Sequence, residues 1–230
     1  MSALAAGRRC SRVAVGAGLV LLATLPASPS LAQSASPGPA VEDLRAGATF
    51  RFQIHPSLPV HVFRLVGDPA SNTVERIEVS RDGEATPFQI LEDIDMEPPY
   101  RGARYFRTED VNFDGYQDIK LLRWWGATGN AGYAYWLFDP ATRRFVFSPE
   151  LSELSNPTPD PRTREITTHS VEGMAGRIYT DRAYRFDNGA LVLVREDAQS
   201  WVDAGRYFLR TLKERRDGRM ETIREERRPE

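Results

Sequence analysis

The chain has 230 residues, with 30 Lys and Arg against 32 Asp and Glu, three His and one Cys. A formal charge of −2 supplies no basic surface for nucleic acid. A single thiol excludes an intramolecular disulfide or a thiolate cluster.

Residues 1–32 read as an export signal. Arg8, Arg9 and Arg12 make a basic start, and residues 13–25 make an apolar run shorter than a bilayer span. Ser30 and Ala32 hold the small-residue positions of a cleavage site before Gln33. Cys10 leaves with this segment, and the remainder carries five more acids than bases. The expected location is periplasmic or secreted. Residues 33–41 (QSASPGPAV) lack the apolar surface to order themselves and read as a flexible spacer.

From residue 42 to 230, short runs of β-branched and aromatic residues alternate with polar ones between Gly, Asp, Asn and Pro clusters. The expectation is one all-β domain, antiparallel and either propeller-like or sandwich-like. Strands are predicted at 49–54, 60–65, 73–80 and 88–91, with Asp82-Gly83 offering positive φ for a tight turn. The acids Glu92, Asp93, Asp95 and Glu97 follow and read as a solvated loop before Pro98-Pro99.

Residues 110–118 read DVNFDGYQD and place side-chain oxygens at Asp110, Asn112, Asp114 and Asp118. Ca²⁺ takes six to eight oxygens, and alternate residues of a loop converge on an ion only where the chain bends sharply, which Gly115 allows. Tyr116 is counted with these four, since backbone carbonyls or water complete such a shell. The spacing starts as an EF-hand does, but Leu121 stands where the bidentate Glu belongs, so this is no EF-hand. The other reading is an Asx-rich turn whose carboxylates satisfy backbone N–H groups without metal.

Further strands are predicted at 119–124, 133–138 and 145–147. The aromatics Trp124, Trp125, Tyr133, Tyr135 and Trp136 cluster around the Gly-rich segment GATGNAG. Strict alternation puts Trp124 and Trp136 in the core and turns Trp125 and Tyr135 outward, as candidate contacts for a protein or glycan. Asp187-Asn188-Gly189 predicts a hairpin between 183–186 and 191–196. Residues 206–228 are dense in mixed charge, yet Asp217-Gly218 favours a hairpin over a helix. Its charges would form a solvated face protecting a sheet edge.

Residues 110–160, DVNFDGYQDIKLLRWWGATGNAGYAYWLFDPATRRFVFSPELSELSNPTPD, resemble periplasmic immunity proteins of Xanthomonas-like bacteria, which protect against lysozyme-type effectors of antibacterial type IV secretion. The similarity is weaker over 88–107 and 184–196. It implies a propeller-like Ca²⁺-holding domain that inhibits a peptidoglycan-cleaving hydrolase through a protruding loop. The 110–118 loop would then be the metal site, fixing the recognition surface, and residues 169–180 the inhibitory loop, with Glu172, Arg177 and Tyr179 in contact.

Catalysis finds little support: His55, His61 and His169 are scattered, and no H-E-x-x-H or G-x-S-x-G occurs. No enzyme activity is expected. The alternative function is a calcium-stabilised envelope binding module without inhibitory action.

Overall fold

The computed structural model describes residues 45–71, 73–92, 94, 106–203 and 206–229. The signal and spacer expected at 1–41, and Asp93, Asp95 and Glu97, lie outside the described residues. Nearly everything described is strand, arranged as three antiparallel meanders. The first sheet contains β1 (Thr49–Phe52), β2 (His61–Asp68), β3 (Thr73–Arg81) and β4 (Gln89–Leu91). The second contains β5 (Phe106–Glu109), β6 (Asp118–Trp125), β7 (Ala131–Asp139) and β8 (Arg144–Phe147). One helical turn, α1 (Pro149–Ser152), is capped by the Ser148 side chain. It leads to the third sheet: β9 (Thr158–Asp160), β10 (Glu165–Gly173), β11 (Ile178–Asp187), β12 (Ala190–Val202), β13 (Tyr207–Arg216) and β14 (Arg219–Pro229). Strands follow sequence order within each sheet, as short connections dictate, and the all-β expectation is met.

Alternation explains the core. Phe63 and Leu65 of β2 and Ile77 and Val79 of β3 point to one side and are fully buried, joined there by Phe106, Ile119, Leu121, Phe138 and Phe145 of the second sheet. Turn chemistry explains the long hairpins. Asn188 and Gly189 lie at φ 49° and 82°, Asp217 and Gly218 at φ 48° and 81°, the double left-handed pair that a two-residue hairpin needs. The charged C-terminal segment is therefore a hairpin, with β14 as an exposed edge. Asp82-Gly83 differs from expectation: only Gly83 is left-handed, and the chain closes a turn from Arg81 O to Glu84 N without pairing β3 directly into a hairpin there.

The three sheets are joined by amide side chains. Gln89 donates to Phe145 O (2.7 Å) and accepts from Phe145 N (2.9 Å), linking the first sheet to the second. Asn130 donates to Val171 O (2.9 Å) and accepts from Val171 N (3.0 Å), linking the second to the third. Asn156 accepts from Ala131 N (2.9 Å) and donates to His169 O (2.8 Å) across the same junction. A primary amide carries the same donor and acceptor as a peptide group, so each side chain completes the backbone pairing that strands at these seams do not make.

Candidate functional site

The 110–118 loop is built from its own side chains. Asp110 accepts from Asp114 N and Gly115 N, both at 3.0 Å. Asp114 accepts from Tyr116 N (2.8 Å) and from the Asn112 side-chain amide (2.9 Å), while Asn112 accepts from Asp114 N (3.2 Å). Phe113 and Gly115 take positive φ (62° and 92°), so the bend assigned to Gly115 is real and Phe113 shares it at a cost of roughly 1 kcal/mol. Asp118 is held differently. It is fully buried and accepts from Val111 N (3.0 Å) and Phe138 N (2.8 Å), tying the loop to β7.

These bonds are those of an Asx-rich turn, and among the described residues no three His, Asp or Glu groups gather as a cation cluster. The donor set nonetheless suits a hard cation. Each carboxylate or amide oxygen has two lone pairs, so one that holds a single N–H can still ligate. Asp118 shows the accumulated negative charge. Burial, and secondarily the charges of Asp114 and Asp110, push its carboxyl up to about 7 against the opposing pull of its two backbone hydrogen bonds.

The loop touches all three sheets at one end of the molecule. Gln117 N donates to Ile54 O (2.8 Å), His55 stacks on Tyr116 with ring centroids 4.5 Å apart, and Arg164 Nη2 donates to Phe113 O (2.9 Å). Trp125 ends β6 at the other end. Seven residue steps along a strand separate Asp118 from it, about 23 Å at 3.3 Å per step. An ion in this loop can brace the sheet junction, but it does not adjoin the aromatic surface that the sequence had associated with it.

At the far end the aromatics depart from strict alternation. Trp124 is half exposed because β6 carries a bulge: register runs from Leu122 opposite Tyr133 to Trp124 opposite Gly132, leaving Arg123 extra. The Trp124 ring packs against Gly132, where a Cβ would come within 2.1 Å of Nε1. Trp125 is half exposed, as expected, and Trp136 is buried, as expected. Tyr135 is fully buried, contrary to expectation, because both faces of β7 are covered. Its backbone N–H donates to Ser152 Oγ (3.0 Å) on α1, and its hydroxyl donates to Glu109 Oε1 (2.8 Å). Tyr135 is therefore removed from the candidate contacts.

Residues 169–180 are not a loop but the paired ends of β10 and β11 with a short tip. Met174, Ala175 and Gly176 all take left-handed φ (47°, 51° and 88°) and project. Glu172 is exposed beside the tip and accepts from Thr180 Oγ1 (2.7 Å). Arg177 is exposed but drawn down, its guanidinium 4.0 Å over the Phe208 ring and donating to Pro229 O (3.3 Å). Tyr179 sits in the strand, half-buried and stacked on His169. Sequence reasoning missed Met174, half exposed at the apex, although an apolar residue inside G-M-A-G was a signal. It also missed buried Lys120, which bonds Glu109 Oε1 and Pro157 O, both at 3.1 Å, under the Tyr133 ring. Burial lowers the Lys120 pKa, and Glu109 opposes that shift.

Asn130 joins these features. Its two hydrogen bonds to Val171 hold the turn after Trp125 against the base of the Met174 hairpin, so the exposed indoles and the projecting tip share one end of the molecule.

Among solved structures, this fold is shared with one described as a Xanthomonas type IV secretion system related protein. The TM-score is 0.53 at 20% identity, covering 80% of this chain and 97% of that one. At that identity the likeness is one of fold. No family model and no curated protein matches the chain. No helix among the described residues is long and apolar enough to cross a membrane.

Proposed function

We propose that the chain is a periplasmic, non-catalytic inhibitor of the immunity type, which blocks a lysozyme-like hydrolase by seating its Trp125 and Met174 end in the enzyme's cleft. The observation that carries this reading is the double hydrogen bond between Asn130 and Val171. With Asn156 at the same seam it fixes the two elements against each other, and pre-organised projections lose little entropy on docking. Exposed indoles and a methionine tip are the kind of anchors that dominate interface energies. The fold neighbour's connection with type IV secretion agrees with the resemblance of residues 110–160 to antibacterial immunity proteins.

Two of the three histidines are taken up by packing and local turns. His61 is buried among Phe63, Phe88, Phe138 and Phe145, His55 is engaged with Ser57 and Tyr116, and His169 bonds Asp181. In this reading Asp110, Asn112, Asp114 and Asp118, with the carbonyl of Tyr116, hold Ca²⁺ as a structural brace. The ion neutralises the acidic loop where the three sheets meet.

The test is to mix the purified chain with lysozyme-like peptidoglycan hydrolases and follow clearing of a peptidoglycan suspension. Suppression that saturates at a fixed molar ratio is expected. An unaffected hydrolase that still retains the chain would favour the envelope binding module, and clearing by the chain alone would establish an enzyme.

A further inference from the structure

A cavity of about 390 Å³ opens between the end of the first sheet and the second, lined by Glu92, Ile94, Arg123, Ala134, Trp136 and Phe147. Ligand pockets start at about 300 Å³, so this one has room for a single small molecule. Its floor is apolar. Trp136 and Phe147 stand directly opposite each other in the β7–β8 ladder, with ring centroids 5.6 Å apart, and Ala134 and Ile94 extend the surface. Its two charges are of opposite sign. Arg123 is there because of the bulge in β6, which makes it the extra residue between Leu122 and Trp124. Neither Arg123 nor Glu92 has a hydrogen-bond or ion-pair partner among the described residues.

A second cavity, of about 310 Å³ on the third sheet, shows the contrast. It too is lined by charges, but they are already engaged: His169 with Asp181, Arg195 with Glu165, Arg182 with Glu196 and Asp197 with Arg210. A ligand there must displace existing bonds. In the first cavity neither charge is engaged by a described residue.

An apolar slot lined by one cation and one anion suits a ligand that carries both charges beside an apolar group. A neutral sugar has neither charge, a fatty acid lacks the cation, and the interior of a peptide lacks both. We propose that this cavity binds a free α-amino acid with an aliphatic or aromatic side chain. The α-carboxylate meets the Arg123 guanidinium in a bidentate pair, the α-ammonium meets Glu92, and the side chain lies against Trp136 and Phe147. The proposal does not rest on the docking reading.

Isothermal titration of the purified chain with L-leucine and L-phenylalanine tests it, with N-acetyl-L-leucine and L-leucinamide as charge-blocked analogues. Saturable binding tighter than about 1 mM is expected for the free amino acids. Acetylation and Glu92→Gln should each weaken it about tenfold or more, as should amidation and Arg123→Gln, since each removes one charge-assisted contact. In Arg123→Gln the amide and the free acid should bind alike. Melting temperatures of both variants serve as the folding control. Absence of saturable heat, or blocked analogues binding as tightly as the free amino acids, would overturn the proposal.

Discussion

Replacing Asn130 with Ala removes one of the two amide side chains that join the second sheet to β10 while leaving every strand intact. Two neutral hydrogen bonds, of 2.9 and 3.0 Å, are lost at a half-buried seam. At about 1 kcal/mol each, with a further fraction of the desolvation penalty for Val171 groups that water reaches only in part, the cost is about 2–3 kcal/mol. For a domain of this size that is a fall of roughly 4–10 °C in Tm. Asn130→Asp should be at least as damaging: it keeps the acceptor for Val171 N but aims an anionic oxygen at Val171 O. Urea unfolding followed by tryptophan fluorescence reads the change as a shift in midpoint at constant slope. A loss below about 0.5 kcal/mol in both variants would refute the claim that this amide holds the sheets together.

Gly67→Ala should be more severe. A Cβ there would lie 1.9 Å from Thr73 O, backbone against backbone at the β2–β3 bulge, and a loss of about 3 kcal/mol or more is expected in the same assay. His61 gives a pH signature. Burial among the phenylalanines lowers its pKa below 6.5, so the unfolded chain takes up a proton that the folded chain refuses, and stability falls as pH drops below 6.5. The slope is at most about 1.4 kcal/mol per pH unit, and His61→Phe should flatten it relative to the parent; identical slopes would contradict this. Calcium at about 100 times Kd should add about 2.7 kcal/mol, or roughly 5–10 °C, as seen by calorimetry with and without chelator, and Asp114→Ala should abolish the difference. An unchanged parent melt would remove the metal.

Sequence reading succeeded where one physical signal dominated. The first half of β2 alternates cleanly over His61, Phe63 and Leu65 because one face is core, and the hairpins at Asn188-Gly189 and Asp217-Gly218 announce themselves by residues that tolerate positive φ. The acidic loop was legible as a motif, and its bend and its side-chain cradle are present. Reading failed where alternation is broken or both faces are covered. The extra residue at Arg123 turns Trp124 out, and β7, with α1 on its second face, buries Tyr135. β5 and β10 were passed over because FRTE and EITTHSVEG are too polar to advertise a core face. The amide links were invisible, because Gln89 and Phe145 are 56 residues apart and no local pattern encodes such a meeting. That the acidic loop and the exposed Trp125 lie at opposite ends of β6 likewise required the structure.

Inhibition by variants of the exposed end decides the docking proposal. Trp125→Ala combined with Met174→Ala removes two of the three half-exposed apolar side chains at this end without touching a buried group. With melting temperature unchanged, the double variant should fail to suppress peptidoglycan clearing at ratios where the parent chain suppresses it fully. Full suppression by the double variant would place the contact elsewhere on the molecule.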